Sequence, residues 1–462
     1  MSTPTSPKIL IAGGGIGGLF MGILLEKAGL DYQIFESNTE FLPLGAACGL
    51  SYNIMAAVDQ LGMLEDLKKI STTVEINTIF KQDMEVIREI RLRENKLGTG
   101  YDTLVTSRPE FHALLLSHVP KEKIHMGKKI VSLQQDLETV TITCEDKSTY
   151  TGDLLIGADG AYSDVRKAMY KDMEKDGMTP KIKVDEPQIH IMSYLGVAEN
   201  LDPANYEGLG EEESHSDTII GEGRGETWRY FTATDNRVCW RFDYQSNSMT
   251  PEDIEAWKNS DYLAFPKESI NPDFRKYELA IMGNLGQMFD ATPKERLSKV
   301  VLEENVPQSW YHKRTVLIGD AAHRVLPNFG ALNAILDAII LSNALYEMPN
   351  ANHKNITRAF EEFYAERFPT DERDLSPKQQ SATILAGKTW LDTAGRFLLM
   401  KMVPKYFKER SLEYICQYRP QVTFLPKIES KGTVQSTPQR PSKKYAALVK
   451  SQGSTSTSAT AV

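Results

Sequence analysis

A glycine-rich run near the start of the sequence has the spacing of a nucleotide-binding turn. Gly13, Gly15 and Gly18 form the pattern G-x-G-x-x-G directly after the apolar run Lys8–Ala12. Glycines at these positions permit a tight turn and let the backbone approach a diphosphate, while the following helix offers unpaired N–H groups to that anion. Glu36 stands 18 residues after Gly18 and ends the next apolar run, where a carboxylate accepts hydrogen bonds from ribose hydroxyls. The pattern predicts a site for the ADP part of a dinucleotide.

Two later segments also carry carboxylates directly after short apolar runs. The first, Gly157–Arg166, contains Asp159 and Gly160, and the second, Val316–His323, contains Asp320. Either segment alone is typical of an ordinary turn between a strand and a helix. A carboxylate at the end of a buried strand can also accept hydrogen bonds from a polyol chain. The glycine-rich run and these two segments, occurring in this order, indicate a nucleotide-binding fold far more specifically than any one of them does alone.

The elements that must position these residues follow from the apolar pattern. The strand, turn, helix and strand at the start predict a parallel sheet with helices on its faces. Between about 180 and 290 the alternating runs Thr227–Thr232 and Arg237–Phe242, separated by Asp235-Asn236, predict a hairpin in a mainly antiparallel sheet. Thr315–Ile318 then returns to the buried-strand pattern, and a helix is predicted over Ala331–Tyr346. We therefore predict an α/β fold with a Rossmann-like parallel sheet interrupted by an antiparallel substrate sheet, followed by C-terminal helices.

The same patterns divide the chain into five regions. From 427 onward the sequence is rich in Ser, Thr, Pro, Lys and Gln, which predicts a flexible end because little apolar surface is available for burial. The predicted regions are the first part of a dinucleotide-binding domain (1–179), a substrate-binding sheet domain (180–290), the second part of the first domain (291–350), a C-terminal helical region (351–426) and the flexible tail (427–462).

Composition excludes several classes of function. The chain has 462 residues with 53 Lys and Arg against 62 Asp and Glu, a net charge of −9, which argues against nucleic-acid binding. Its four cysteines are scattered without a CxxC pair, so neither a disulfide framework nor a metal site is expected. Reduced thiols favour a cytoplasmic location. No apolar run is long enough to span a bilayer.

Taken together, the three motifs resemble those of the single-component FAD-dependent monooxygenases of the aromatic-hydroxylase type. Within that family the chain is most similar to fungal epoxidases of indole-diterpene and meroterpenoid biosynthesis, through Gly45–Asn53 and Asp59–Gly62. The resemblance covers roughly the first 350 residues and is weak across the middle sheet. It implies non-covalent FAD, NAD(P)H as co-substrate, and O2. It also implies hydroxylation or epoxidation, through a flavin hydroperoxide, of a small, mainly apolar organic substrate of secondary metabolism.

The resemblance also implies a role for individual residues. Arg166 completes the second motif, which the family uses for both FAD and NAD(P)H. The implied FAD-binding positions are Gly13, Gly15 and Gly18 at the pyrophosphate, Glu36 at the adenosine ribose, Gly49 beside the flavin, Arg108 at the phosphate or ribityl region, Asp159 and Gly160 in the second motif, Asp320 at the ribityl hydroxyls, and Ala331 near the flavin ring.

One departure from the family pattern leaves a second function open. The family continues its third motif with Pro-x-x-Gly-x-Gly-x-x-Asn and an Asp, whereas here the span from Pro327 to Asp337 is two residues shorter and lacks the second glycine. In the family this turn places the positive end of a helix against the flavin pyrimidine. A catalytically impaired FAD-binding protein is therefore the alternative function. A flavin halogenase is a poorer one, because none of the five tryptophans forms a Trp-x-Trp-x-Ile-Pro stretch.

Candidate substrate contacts lie on the middle sheet. Only one Rossmann fingerprint is present, so no separate nicotinamide domain is expected. Tyr194 is the candidate catalytic residue, and Arg229 and Tyr230 are candidate substrate contacts, although each is also explained as an ordinary sheet residue.

The stretch Trp390–Arg410 combines aromatic and apolar residues with five basic ones. A helix packed on the domain with a solvated basic face explains it best. Peripheral contact with a membrane surface, bringing the enzyme to a lipophilic substrate, is the second interpretation.

Overall fold

The structure is a computed structural model of the chain, and it describes most of the sequence. The described residues are 6–42, 45, 47–180, 182–183, 190–206, 208–221, 226–245, 270–281, 283–303, 306–323, 330–386 and 416–457.

Strands and short helices alternate through the first 320 residues, and longer helices follow. The strands are β1 Lys8–Ala12, β2 Asp31–Phe35, β3 Ala47–Leu50, β4 Thr72–Thr73, β5 Ile76–Lys81, β6 Val86–Arg91, β7 Leu104–Ser107, β8 Ile124–His125, β9 Ile130–Gln135, β10 Val140–Cys144, β11 Thr149–Gly152, β12 Leu154–Gly157, β13 Ile182–Lys183, β14 His190–Ala198, β15 Ser216–Ile220, β16 Thr227–Ala233, β17 Arg237–Gln245, β18 Glu278–Leu279, β19 Gly283–Asn284, β20 Leu297–Glu303, β21 Val306–Pro307, β22 Tyr311–His312 and β23 Thr315–Leu317. The helices are α1 Ile16–Ala28, α2 Tyr52–Gln60, α3 Leu64–Lys69, α4 Arg93–Thr99, α5 Arg108–Ser117, α6 Asp164–Lys175, α7 Leu285–Asp290, α8 Gly330–Glu347, α9 His353–Ala386 and α10 Lys443–Thr457.

The first sheet has the strand order β22-β23-β12-β1-β2-β8, and its central strands are parallel. β1 is buried along most of its length, because α1 packs against it and β11, from the three-stranded sheet β11-β10-β9, also contacts it. In parallel strands all the carboxyl ends meet at one edge, so the turns after β1, β12 and β23 lie side by side. The predicted Rossmann-like domain, assembled from distant parts of the sequence, is confirmed.

The middle sheet has seven strands in the order β20-β14-β17-β16-β15-β5-β6. Its neighbours are antiparallel except for β15 and β5. Asp235 and Asn236 adopt φ of 57° and 53° in the three-residue turn between the paired residues Ala233 and Arg237, at the position of the predicted hairpin. The predicted antiparallel sheet is thus present.

The predicted boundaries of this domain, 180–290, are too narrow. β5 and β6, from residues 76–91, extend one edge of the middle sheet, and β20, from residues 297–303, forms the other. β5 pairs in parallel with β15, which lies about 140 residues later in the chain. Such a long-range pairing leaves no local signal in the sequence. The sequence pattern alone therefore places β5 and β6 in the predicted region 1–179.

The prediction of a flexible tail from 427 is wrong for the described part of that segment. The backbone N–H groups of Thr433 and Val434 donate to the carbonyls of Leu97 and Gly98 at 3.0 and 2.9 Å. Farther along, Ser442 donates to Glu347 on α8, and α10 begins one residue later. The segment is held by hydrogen bonds to the first domain rather than by an apolar core of its own, which composition does not reveal.

In the part of the chain that the structure describes, α1 to α10 include no helix with both the length and the apolarity needed to cross a bilayer. The predicted basic stretch Trp390–Arg410 lies outside the described residues.

A substitution at Gly432 tests whether the tail is part of the fold. A Cβ at this position would overlap the carbonyl group of Gly98, so Gly432→Ala should lower the free energy of unfolding by about 1–3 kcal/mol. Gln435→Ala, at an exposed position three residues on, is the matched control. Urea denaturation measures both, and equal stability of the two variants would contradict the packed tail.

Candidate active site

The glycine-rich turn after β1 is shaped by close backbone contacts. Gly13 has φ of +99°, and a Cβ there would lie 2.5 Å from the carbonyl oxygen of Ala158. A Cβ on Gly18 would overlap the carbonyl oxygen of Gly13. Gly15, which precedes α1, differs from both because its Cβ would meet nothing within 4 Å. The turn therefore presents a helix N-terminus to open space on the side of Gly15, as a diphosphate requires.

Glu36 lies beside this turn, at the end of β2. Its side chain is 8% exposed, and its Oε2 accepts a hydrogen bond from the backbone N–H of Gly14 at 2.8 Å. Its Oε1 accepts from the N–H of Asn38 at 2.9 Å. The predicted ribose-binding carboxylate is thus positioned next to the predicted diphosphate-binding turn.

Arg108 opens α5 opposite this turn. Its Cδ lies 2.6 Å from the position that a Cβ on Gly45 would take, so the Gly45 backbone and the arginine stem are in close contact. Ser107 precedes the helix and donates to Glu110 at 2.8 Å. Glu110 also pairs with Arg237 of the middle sheet. These contacts fix the start of α5 relative to both sheets.

Asp159 stabilises the turn of the second motif. It accepts hydrogen bonds from the Ser163 hydroxyl at 2.5 Å and the Val165 N–H at 3.0 Å, and so holds the turn that leads into α6. Burial raises the pKa of Asp159, and these hydrogen bonds oppose that rise. Gly160 has φ of +80° and open space at its Cβ position. Arg166 donates to the carbonyl of Ala321 at 2.8 Å and thereby joins the second motif to the third.

The third motif places Asp320 at the beginning of α8. The side chain is exposed, and its Oδ1 lies 2.9 Å from the position that a Cβ on Gly330 would take. Ala331 follows in the first turn of α8 and is half-buried. The altered turn between His323 and Gly330 lies outside the described residues, so its shortening stays a prediction about activity.

Asp337 on α8 connects the third motif to α8 and α9 through hydrogen bonds. Its Oδ2 accepts from the N–H of Gly319 at 2.8 Å and contacts Nε2 of His323 at 2.6 Å, and its Oδ1 accepts from Arg367 at 2.7 Å. Asp337 and Arg367 are at most 1% exposed. Burial alone would raise the pKa of Asp337, but the charges and hydrogen bonds of His323 and Arg367 lower it to about 2. The carboxylate is therefore ionised and fixes the turn that carries Asp320.

A cavity of about 1590 Å³ lies between the segment after β3, α8, α9, the middle sheet and the C-terminal segment. The two segments that were predicted to lie beside the flavin ring, the one at Gly49 and the first turn of α8, both contribute to the wall of this cavity. The middle sheet supplies the opposite wall. Its lining includes Gly49, Asn53, Leu332, Thr218, Arg229 and Phe231, together with charged residues of α9 and the C-terminal segment.

The prediction of Tyr194 as the catalytic residue is not supported by its position. Tyr194 pairs with Phe242, which pairs with Trp228, and paired residues share one face of a sheet. That face packs into a separate apolar core, where Tyr194 is 5% exposed and stacks on Tyr244. Tyr230 lies on the same face and donates to Asp217. Of the three middle-sheet candidates, Arg229 lines the cavity.

The residues that are present fit FAD. The open space at Gly15 and Gly160 leaves room for a diphosphate against backbone N–H groups, with Arg108 as its counter-charge. The carboxylates of Glu36 and Asp320 stand on opposite sides of that space along the sheet edge, as hydroxyl acceptors. The cavity beyond Gly49 is larger than one small ligand requires, so it can hold a flavin ring and a substrate together.

Comparison with known proteins agrees with this site. Residues 6–193 match the family described as FAD binding domain. The FAD-dependent monooxygenase atmM of Aspergillus flavus is 25% identical over 434 residues, covering 91% of this chain and 87% of the relative. The FAD-dependent monooxygenase ptmM of Penicillium ochrochloron is 28% identical, covering 74% and 78% of the two chains. Klebsiella pneumoniae HpxO, solved with FAD and uric acid, has a TM-score of 0.70 at 21% identity and covers 89% of this chain and 96% of its own.

The fold and site thus define a protein with an FAD-binding domain. Over most of its length the chain is similar to fungal FAD-dependent monooxygenases, and the predicted resemblance, fold class and cofactor are confirmed.

Sequence reasoning missed some residues that shape the site. His112 contacts the glycine-rich turn, Phe41 packs against it, and Arg367 reaches Asp337 from α9. For His112 a signal existed, because it follows Arg108 by four residues and so lies on the same face of α5. Phe41 and Arg367 follow no motif, and their contacts depend on tertiary packing.

Two glycine substitutions separate cofactor binding from folding. Gly15→Ala should leave the thermal midpoint of the apoprotein unchanged while weakening FAD binding on the order of tenfold, because its Cβ enters the space required by the diphosphate. Gly18→Ala should instead destabilise the fold by about 1–3 kcal/mol through overlap with Gly13. Fluorescence titration with FAD and thermal unfolding measure both effects. Normal FAD affinity in Gly15→Ala would contradict the proposed position of the diphosphate.

Proposed function

We propose that this monooxygenase uses NAD(P)H and O2 to hydroxylate or epoxidise a small organic molecule in the cavity between its two sheets. One oxygen atom enters the substrate, and the other leaves as water with the electrons of the nicotinamide. The observation that carries the proposal is the shared cavity: the flavin-side segment at Gly49, the first turn of α8 and one face of the middle sheet line the same space.

The chemistry that FAD supplies when bound is hydride acceptance and activation of O2. The chain contributes the surroundings of that chemistry. Apolar side chains of α8 and the middle sheet, among them Leu332, Leu336 and Phe231, line the cavity and disfavour water next to the reacting atoms. Arg108 and the N-terminus of α1 hold the anionic end of the cofactor at the opposite end of the site.

Arg229 places a positive charge on the middle-sheet wall of the cavity. The nearest carboxylate oxygen, on Asp243, is 3.7 Å from its guanidinium. Asp243 is already bound by Arg241 at 2.6 Å and by Ser193. The Nε of Arg229 has no acceptor among the described residues, and burial lowers the pKa of Arg229 to about 10. Two guanidinium groups therefore share one carboxylate at this wall of the cavity.

This imbalance favours a substrate that is mainly apolar but carries a carbonyl, phenolate or carboxylate oxygen. Such an oxygen would accept a charge-assisted hydrogen bond from Arg229, and it would orient the rest of the molecule toward the flavin side of the cavity. Arg229 would thus act as a substrate-positioning residue.

Substrate-dependent oxidation of NADH or NADPH tests the proposed activity. We expect the purified yellow protein to oxidise one nicotinamide faster when a suitable apolar compound with an oxygen acceptor is added, and to release a product heavier by one oxygen atom. A yellow protein that oxidises neither nicotinamide with any of a broad panel of aromatic and terpenoid compounds would favour the impaired flavoprotein instead.

For any compound that is accepted, Arg229→Met should raise KM about tenfold or more, because a hydrogen bond to a charged group is lost. FAD content should not change, since Arg229 lies on the sheet and not on the FAD-binding domain. Arg91→Met, at an exposed position on β6 of the same sheet, is the control. Unchanged KM in Arg229→Met would contradict the role of this side chain.

A further inference from the structure

His112 lies on α5 one helical turn after Arg108, and it faces the glycine-rich turn. Its Nε2 is 2.8 Å from the carbonyl oxygen of Gly14. The ring of Phe41 packs edge-on against the imidazole, with 4.8 Å between the ring centroids. Phe41 also lies against Gly14, because its ring atoms are 2.8 Å from the position that a Cβ on Gly14 would take.

The direction of this hydrogen bond follows from chemistry. A carbonyl oxygen only accepts, so Nε2 of His112 must carry a proton and donate it to Gly14. Burial lowers the pKa of His112, the bond to Gly14 opposes that change, and the charge of Arg108 lowers the pKa further. The imidazole is therefore neutral at pH 7, with its proton on Nε2.

Both backbone polar groups of Gly14 are consequently hydrogen-bonded to side chains. Its N–H donates to Glu36 at 2.8 Å, and its C=O accepts from His112. The C=O of Gly14 and the N–H of Gly15 belong to one planar trans peptide and point in opposite directions. Fixing the carbonyl toward His112 therefore turns the N–H of Gly15 away from α5, where it is available to an anion.

We propose that His112 is a positioning residue for FAD, which acts through Gly14 and makes no contact with the cofactor. By holding the Gly14–Gly15 peptide in one orientation, it presents the Gly15 N–H to the diphosphate before the cofactor arrives. Nothing in the three family motifs includes this position. The proposal depends on FAD binding at the glycine-rich turn and is independent of the substrate.

Titration of the apoprotein with FAD and with ADP tests the proposal without any need for activity. His112→Leu removes the donor and should weaken the binding of both ligands about fivefold, with an unchanged thermal midpoint of the apoprotein. His112→Gln keeps an N–H donor and should restore affinity to within about twofold of the original protein. His118→Leu, at an exposed position on the end of the same helix, is the matched control.

Three results would overturn the proposal. The first is normal FAD and ADP affinity in His112→Leu. The second is a His112→Gln variant as weak as His112→Leu, which would show that the donor is not what matters. The third is a fall in apoprotein stability that accounts for the lost affinity, which would make His112 a packing residue. Failure of the original protein to bind FAD at all would refute the site itself and is distinguished by the control titration.

Discussion

Backbone contact between the ends of neighbouring strands is the constraint on which the rest of this structure depends. The N–H of Gly13 donates to the carbonyl of Phe35, that of Ala158 to Ala12, and that of Ile318 to Gly157, all at 2.8 to 2.9 Å. These bonds align the ends of β2, β1, β12 and β23 along one edge of the first sheet. Because Gly13 has no side chain, the turn after β1 can lie directly against the turn after β12. Three motifs that are far apart in sequence thereby lie side by side along one edge of the first sheet.

Side-chain contacts connect these aligned strand ends to one another and to the middle sheet. Arg166 links the second motif to the carbonyl of Ala321, and Asp337 holds the third motif to α8 and α9. Glu110 and Arg237 connect the start of α5 to the middle sheet, which links the predicted diphosphate site to the wall of the cavity. Buried charges of this kind are costly to leave unpaired, which makes the arrangement sensitive to the loss of a single partner.

Local patterns in the sequence were sufficient to predict the parallel sheet and the glycine-rich turn of the first domain. Strand, turn and helix at the glycine-rich motif, and the Asp235-Asn236 hairpin, follow from backbone preferences of a few neighbouring residues. Tyr194 was misplaced because adjacent strand residues point to opposite faces, and the sequence does not state which face borders the cavity. The strands β5 and β20 join the middle sheet through pairings between distant segments.

The tail shows a different limit of sequence reasoning. Its polar composition is real, but its order comes from hydrogen bonds to α4 and α8, and those partners are known only from the folded structure. The same holds for His112, whose contact with Gly14 depends on how α5 packs against α1. The sequence motifs were sufficient to predict the cofactor. The contacts that support its binding site became visible only in the folded structure.

The most direct test of this account compares the affinity of the apoprotein for FAD and for riboflavin. If the aligned strand ends, the N-terminus of α1 and Arg108 hold the cofactor through its diphosphate, riboflavin should bind about a hundredfold more weakly or worse, because it lacks the ADP part. Equal affinities for the two flavins, or no binding of FAD, would contradict the central claim.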